Sequence, residues 1–143
     1  MKITDAQLKQ IYAHAAETYP NECFGFLVGV FDDGGQVHGV ARGTNLRTDR
    51  SDRFEMDPVE FVRVEKEADE GGLSVVGFYH SHPDWPAIPS QTDITWAWEG
   101  SYYLIVSIHE GRPFNTGVWA LAAGAPKRFK AEPLEVLDET GLG

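Results

Sequence analysis

The sequence predicts an α/β sandwich in which helices cover a mixed, largely antiparallel β-sheet. Two segments show the apolar repeat of amphipathic helices, several short apolar runs are bounded by turn residues, and short turns join some of these runs. The chain has 143 residues, the length of one domain. We expect residues 1–137 to form that domain and residues 138–143 to be a flexible tail.

Two helices begin at recognisable capping residues. Thr4, with Gln7 three residues later, predicts a capping box, and the helix that follows must stop at Pro20. Asp57-Pro58 predicts the start of a second helix, with the aspartate as N-cap and the proline at the first helical position. Gly71-Gly72 ends that helix.

Apolar runs elsewhere predict the strands. Cys23–Phe31, the turn Asp32–Gly35 and the returning run Gln36–Arg42 indicate a β-hairpin. The segment Pro83–Pro89 holds three prolines, so it cannot be regular structure. Further strands are predicted at Arg53–Met56, Leu73–His80, Tyr102–Ile108, Thr116–Ala122 and Arg128–Val136, and a short helix from Ser90 to about Trp98.

Composition limits the kinds of partner. The net charge of −10 and the scattered basic residues argue against nucleic acid, because backbone phosphates must be neutralised by a basic patch. The acidic charge favours a basic protein partner or serves only solubility, and both interpretations stay open. Apolar runs such as Cys23–Phe31 are too short to cross a bilayer, so we expect no membrane partner. The N-terminus shows no basic start followed by an apolar run, so we expect no secretory signal. A single cysteine excludes an intramolecular disulfide and fits a cytoplasmic protein.

Two histidines and an aspartate form a candidate metal site. His80 and His82 are two residues apart on a predicted strand, so both side chains point to one face and can reach one ion. Asp93 lies on the short helix that follows, and two histidines with one carboxylate leave a fourth position for water, as in catalytic zinc sites. The spacing Ser90-x-x-Asp93 is equally typical of a helix capping box. Spacing alone therefore favours the metal site and the cap equally.

Glu22 is the candidate base for this site. It stands between Pro20-Asn21 and an apolar strand, where an acid has no obvious packing role. A carboxylate there could take a proton from a water activated by zinc and pass it to a leaving amine. The alternative is a solvated loop carboxylate, which the residues alone favour because the chain holds 22 acidic residues.

These residues together resemble the JAMM motif of the MPN+ metalloproteases, also called the JAB family. The motif is Glu, a long gap, His-x-His, seven residues, Ser, two residues and Asp. Here Glu22, His80-Ser81-His82, the seven residues Pro83–Pro89, and then Ser90 and Asp93 fill every position. The flanking runs Pro20–Leu27 and Val76–Tyr79 also resemble the family, and the resemblance covers about residues 1–122.

The resemblance implies an α/β fold, the three-layer α-β-α sandwich of MPN and cytidine-deaminase-like proteins with a mixed, mainly antiparallel sheet. It implies that His80, His82 and Asp93 bind one catalytic Zn²⁺. Glu22 would be the general base and later the acid for the leaving amine, and Ser90 would hydrogen-bond the developing oxyanion.

The resemblance also implies a class of substrate. Family members typically cut peptide or isopeptide bonds after the C-terminal glycines of ubiquitin or ubiquitin-like proteins, whose tails commonly add a strand to a sheet edge. The chain resembles the stand-alone prokaryotic branch, which is associated with small sulfur carriers ending in Gly-Gly. The expected enzyme is therefore a zinc (iso)peptidase, and the expected partner is a ubiquitin-like or sulfur-carrier protein with a Gly-Gly tail.

Three rival functions use related motifs. A RadC-like protein is disfavoured by the acidic charge and by Ser81, where that branch usually has Asn. A non-proteolytic MPN-fold protein that acts through binding would have lost ligands or the glutamate, and this chain retains all of them. A zinc nucleoside deaminase needs a Cys-x-x-Cys pair, which a chain with one cysteine cannot supply.

A few other residues stand out near these motifs. Cys23 follows Glu22 and is expected to point to the opposite face, into the core. Trp85, in the proline-rich loop, either contacts a substrate tail or packs over its own loop. Core positions are predicted for Trp96, Trp98 and Trp119, and no role is assigned to His38 or His109.

Overall fold

The computed structural model describes residues 1–47, 49 and 54–138, and within them the chain forms eight strands and three α-helices. The helices are α1 (Asp5–Thr18), α2 (Pro58–Glu70) and α3 (Gln91–Trp96). The strands are β1 (Lys2–Thr4), β2 (Phe24–Val30), β3 (Gln36–Arg42), β4 (Ser74–Pro83), β5 (Tyr102–His109), β6 (Arg112–Leu121), β7 (Phe129–Glu132) and β8 (Glu135–Leu137). None of the described helices combines the length and apolar character needed to cross a membrane.

All eight strands of the described residues belong to one sheet, in the order β7-β6-β5-β4-β2-β3-β1-β8. Pairs β1–β3, β1–β8 and β4–β5 are parallel. The other four pairs, β2–β3, β2–β4, β5–β6 and β6–β7, are antiparallel. The predicted α/β fold with a mixed, mainly antiparallel sheet is confirmed.

The helices α1 and α2 pack against different sets of sheet residues. Successive side chains of a strand point to opposite faces, so the sheet can bury apolar residues under a helix on each side. On the α1 side the cluster includes Leu8, Ile11, Cys23, Leu27, Tyr79 and Val106. On the α2 side it includes Phe24, Phe26, Phe61, Val64 and Phe78. The expected helix–sheet–helix layering therefore follows from the alternation within β2 and β4.

The predicted helix starts and the hairpin are confirmed. Thr4 Oγ1 accepts a hydrogen bond from Gln7 N at 3.1 Å, and Gln7 Oε1 accepts one from Thr4 N at 3.0 Å, which completes the capping box of α1. Asp57 caps α2 by accepting from Val59 N at 3.0 Å. A 3₁₀ turn at Asp32–Gly34 joins β2 to β3, as the turn residues predict.

The strand expected at Arg128–Val136 is instead two strands. Pro133 lacks the N–H that a strand interior uses, and β7 and β8 pair with different neighbours on its two sides. Only two residues separate β7 from β8, so the two edges of the sheet lie close together and the sheet must curl. The strand β1 was not predicted, because three residues carry little periodicity.

Two further predictions fall partly outside the described residues. The strand expected at Arg53–Met56 begins at Arg53, which lies outside the described residues. The described part of this segment forms a single bridge, between Met56 and Asn45. Residues 139–143 of the expected flexible tail lie outside the described residues as well.

Gly25 provides a test of how tightly β2 packs on β4. A Cβ there would overlap the ring of Tyr79, which is buried and is held by a 2.7 Å hydrogen bond between its hydroxyl and His14 Nδ1. We expect Gly25→Ala to lower the free energy of unfolding by about 1–3 kcal/mol, the usual cost of overpacking a core. Gly39→Ala is the matched control, because a Cβ there meets nothing within 4 Å. Equal urea midpoints for the two variants would contradict this packing.

Candidate metal centre

Three predicted ligand atoms converge at the end of β4. His80 and His82 occupy alternate positions of that strand, and their Nε2 atoms lie 3.1 Å apart. Asp93, on α3, places Oδ2 at 3.2 Å from His80 Nε2 and 3.1 Å from His82 Nε2. The side chains of His80, His82 and Asp93 are exposed by only 3%, 0% and 9%, so the three ligand atoms converge in a buried place.

The same aspartate also completes a capping box. Asp93 Oδ2 accepts from Ser90 N at 2.9 Å, and Ser90 Oγ accepts from Asp93 N at 3.0 Å. The two interpretations of Ser90-x-x-Asp93 are therefore compatible, because one carboxylate oxygen serves the cap and faces both histidines. The Ser90 hydroxyl uses a lone pair in this cap, and its proton stays available for donation.

A divalent ion fits this arrangement. Zinc binds nitrogen and oxygen ligands at about 2.0–2.2 Å, so tetrahedral ligand atoms stand roughly 3.3 Å apart, close to the separations of the three atoms here. His82 Nδ1 lies 2.7 Å from the carbonyl oxygen of Pro86, to which it donates. In the neutral imidazole this hydrogen bond leaves Nε2 as the lone-pair atom facing the site, the tautomer that a metal ligand needs.

The proline-rich loop supports His82 from two directions. The Trp85 ring stacks on the His82 ring with centroids 3.4 Å apart and planes 6° apart. Ser107 Oγ donates to Trp85 O at 2.6 Å, and Trp119 Nε1 donates to Ala87 O at 3.1 Å. The Trp85 ring therefore packs against a predicted ligand, and its contact with a substrate tail stays a prediction.

Glu22 lies within the same group of side chains. It is exposed by only 2%. One of its carboxylate oxygens, one ring nitrogen of His80 and one of His82 all lie within 4.8 Å of one another. The alternative of a solvated loop carboxylate is therefore wrong. The pairing of Phe24 with His80 explains the placement, because the same antiparallel register continued by two residues sets Glu22 opposite His82.

The electrostatics of the group favour a positive charge beside the Asp93 carboxylate. Burial lowers the pKa of His82. Burial also opposes a charge on His80, but the neighbouring Asp93 carboxylate outweighs it and raises the pKa of His80. Burial likewise opposes ionisation of Asp93, yet the charge of His80 and hydrogen bonds from His80 and from Ser90 N hold the pKa of Asp93 well below its usual range. Asp93 is therefore a carboxylate, and it faces two imidazole nitrogens.

A cleft of about 360 Å³ opens beside this group. Its charged lining includes Glu22, Asp93, Arg47 and Glu55. Its apolar lining is Phe24, Phe54, Met56, Phe78, Trp96, Trp98 and Tyr103. The Phe54 ring also contacts the His80 ring, with centroids 4.8 Å apart, so the apolar wall reaches a predicted ligand.

The prediction that Trp96 and Trp98 are core residues is wrong. Trp96 is 75% exposed and Trp98 is 47% exposed, and both line the cleft. Trp96 ends α3, a helix of six residues, and Trp98 lies two residues beyond it, so helical spacing could not distinguish a buried face from a cleft wall. Trp119 is half-buried, and its indole N–H supports the proline-rich loop.

Cys23 behaves as the alternation of the strand predicts. It is exposed by 1% and belongs to the cluster on the α1 side, away from the two histidines. Burial raises the pKa of its thiol to about 11. The residue is therefore a packed thiol of the core.

The chain belongs to the family described as prokaryotic homologs of the JAB domain, whose family model matches residues 4–122. It is 36% identical over 104 residues to a desampylase of Haloferax volcanii, covering 72% of this chain and 74% of that protein. It is 31% identical over 98 residues to a probable TtuB-protein conjugate cleaving protease of Thermus thermophilus, covering 68% of this chain and 64% of that protein. These matches confirm the resemblance to the JAB family.

A solved structure carries the same fold. AF2198, a JAB1/MPN domain protein from Archaeoglobus fulgidus, superposes with a TM-score of 0.58 at 23% identity, over 96% of this chain and 99% of that chain. The predicted MPN fold is confirmed by this likeness. The roles of Glu22, His80, His82, Ser90 and Asp93 stay predictions that the geometry makes testable.

Removal of Asp93 tests the metal centre directly. Asp93→Ala deletes one of three converging ligand atoms, so we expect zinc affinity to fall by more than the 10- to 100-fold typical of changes to groups that only support a ligand. The measurement is competition between the purified protein and a chromophoric chelator. Asp69→Ala, an exposed acid at the end of α2, is the control and should bind zinc like the parent. Equal zinc affinity in Asp93→Ala and the parent would remove Asp93 from the ligand set.

Proposed function

We propose that this protein is a zinc-dependent (iso)peptidase that hydrolyses an amide bond after the C-terminal Gly-Gly of a ubiquitin-like or sulfur-carrier protein. The observation that carries the proposal is the buried group of Glu22, His80 and His82, whose ligand atoms lie within 4.8 Å of one another, with Asp93 Oδ2 against both imidazoles. A carboxylate beside a two-histidine, one-carboxylate site is the donor set of a metal-assisted hydrolase.

The relatives support the choice of bond. One is named a desampylase and another a probable protease that cleaves TtuB-protein conjugates, so both names describe the removal of small protein modifiers. The family match spans residues 4–122, which include Glu22, both histidines and Asp93. We therefore place the scissile bond of this chain after the tail of such a modifier.

Each residue of the group has a chemical task under this proposal. His80, His82 and Asp93 would hold the zinc ion, which when bound would polarise the scissile carbonyl and lower the pKa of a water molecule. The Glu22 carboxylate would accept a proton from the attacking water and later deliver it to the leaving nitrogen. Its buried position beside both imidazoles suits it to this task.

Ser90 would donate its hydroxyl proton to the oxygen that becomes negative during attack. Its Oγ is already held by the 3.0 Å hydrogen bond from Asp93 N, so the position of the donor oxygen is set before the substrate arrives. A donor that needs no reorganisation gives more stabilisation to a developing charge than a mobile one. The helix cap therefore supports both the fold of α3 and the proposed chemistry.

The cleft would hold the chain of the substrate on the way to the metal. Its apolar wall, with Trp96 and Trp98 exposed, can cover an extended tail and exclude water from the scissile bond. A Gly-Gly sequence suits the narrow approach to buried ligands, because glycine has no side chain to clash.

Glu22→Gln tests the general base. We expect zinc affinity to stay near that of the parent, and cleavage to fall by at least 100-fold because glutamine cannot accept the proton. The assay uses a panel of ubiquitin-like and sulfur-carrier proteins, each extended past Gly-Gly by a dye-labelled peptide, with and without a chelator. Glu65→Gln, an exposed residue of α2, is the matched control and should cut at the parental rate.

Two results would contradict the proposal. One is a zinc-loaded parent that cuts no member of the panel, which would favour an MPN-fold protein that acts through binding. The other is cleavage by Glu22→Gln at the parental rate, which would mean that Glu22 is not the base.

Ser90→Ala tests the oxyanion donor. We expect cleavage to slow by on the order of 100- to 1,000-fold, the usual cost of removing one such donor, while zinc affinity changes much less. The substitution also removes a helix cap, at about 0.5–2 kcal/mol of stability. Thr4→Ala removes the matching cap of α1 and is the control for that loss. Equal slowing in the two variants would assign the effect of Ser90 to stability alone.

A further inference from the structure

The peptide group that joins Glu22 to Cys23 is held from both sides by side chains. Its carbonyl oxygen accepts a hydrogen bond from Asn45 Nδ2 at 3.0 Å. Its N–H donates to Ser81 Oγ at 2.8 Å. Because the carbonyl and the N–H belong to one planar unit, two opposed hydrogen bonds fix the orientation of that plane. This plane adjoins the Cα atom that carries the Glu22 side chain.

Asn45 is itself fixed by its surroundings. Its Oδ1 accepts from Arg47 N and from Glu55 N, both at 2.9 Å. Asn45 and Met56 form an antiparallel bridge, and Leu46 N donates to Glu55 O at 2.9 Å. One amide side chain therefore joins Arg47 and Glu55, both of which line the cleft, to the backbone of Glu22.

Ser81 makes its contact from β4. It lies between His80 and His82, so its side chain points to the opposite face of the sheet, and it is fully buried. Ser81 N also donates to Cys23 O at 3.3 Å, which extends the pairing of β2 and β4 beyond Phe24. The strand that carries both imidazoles thus also holds the backbone of Glu22.

Glu22 needs such support because it precedes β2. The strand begins at Phe24, whose pairing with His80 is the first of the β2–β4 register. Glu22 therefore stands outside the strand itself, and a shift of about 1 Å at a catalytic group can cost on the order of 100-fold in rate.

We propose that Asn45 and Ser81 are positioning residues that hold the Glu22–Cys23 peptide and thereby aim the Glu22 carboxylate. The proposal rests on the proposed function of Glu22 as the base. Neither residue touches the substrate in this role. Both act through the backbone of Glu22, so their loss should lower kcat while zinc affinity and KM stay near the parental values.

The test uses substitutions that remove one hydrogen bond each. Asn45→Asp retains the acceptor oxygen and loses the donor to Glu22 O, Asn45→Ala removes both without adding charge, and Ser81→Ala removes the acceptor for Cys23 N–H. We expect each to lower kcat by on the order of 10- to 100-fold on the dye-labelled carrier fusions. Asn115→Asp and Ser74→Ala, exposed residues on β6 and β4, are the matched controls and should retain the parental kcat.

Two further measurements separate positioning from general damage. In a Glu22→Gln background, Asn45→Ala should lower the residual rate no further, because its effect passes through the base. Exchange of the Cys23 amide hydrogen should become about tenfold faster in Ser81→Ala, while the Leu27 amide of the same strand exchanges as before. The exchange experiment needs no substrate.

The outcomes distinguish this inference from the proposed function. If Glu22→Gln cuts at the parental rate, the proposed base is wrong and the positioning role falls with it. If Glu22→Gln is inactive but the Asn45 and Ser81 variants retain the parental kcat, only the positioning role is overturned. Additive losses in the double variant, or zinc affinity that falls with kcat, would also overturn it.

Discussion

The two-residue alternation of β4 is the constraint on which the site depends. His80 and His82 point to one face of the sheet, while Tyr79 and Ser81 point to the other. The antiparallel register with β2 then sets Glu22 opposite His82 and Cys23 opposite Ser81. A slip of one residue would exchange the two faces, so the apolar packing under α1 and α2 that fixes the register also fixes the arrangement of the candidate site.

Both helix layers contribute to this precision in different ways. On the α2 side, a cluster of aromatic rings runs from the core to the candidate metal centre, and Phe54 stacks on Phe24 and contacts His80. On the α1 side, the buried hydrogen bond between His14 and Tyr79 holds the centre of β4. The imidazoles therefore rest on a strand that is packed on both faces, where aromatic contacts limit motion.

The sequence predicted what depends on short-range order. Residues a few positions apart predicted four features, and each is present: the caps at Thr4 and Asp57, the β2–β3 hairpin and the same-face placement of the histidines. The convergence of Glu22 on the histidines spans nearly 60 residues, so the residues alone left a solvated loop carboxylate favoured, and the family resemblance decided for the site. Asn45 carried no recognisable signal, because its role depends on hydrogen bonds to a backbone carbonyl far along the chain. Trp96 and Trp98 were misplaced for a related reason: apolar character alone does not distinguish a core from a cleft wall.

Asp93 shows why fold and site cannot be separated in this protein. A helix of six residues is too short to be stable through its own hydrogen bonds, so α3 depends on its capping box. Oδ2 of Asp93 makes that cap with Ser90 N and faces both imidazoles. The negative charge of Asp93 interacts favourably with the positive end of the helix macrodipole, and the same charge would attract a cation between the histidines. Local stability and the proposed metal affinity thus call for the same carboxylate, which explains why one spacing fits both a helix cap and a metal ligand.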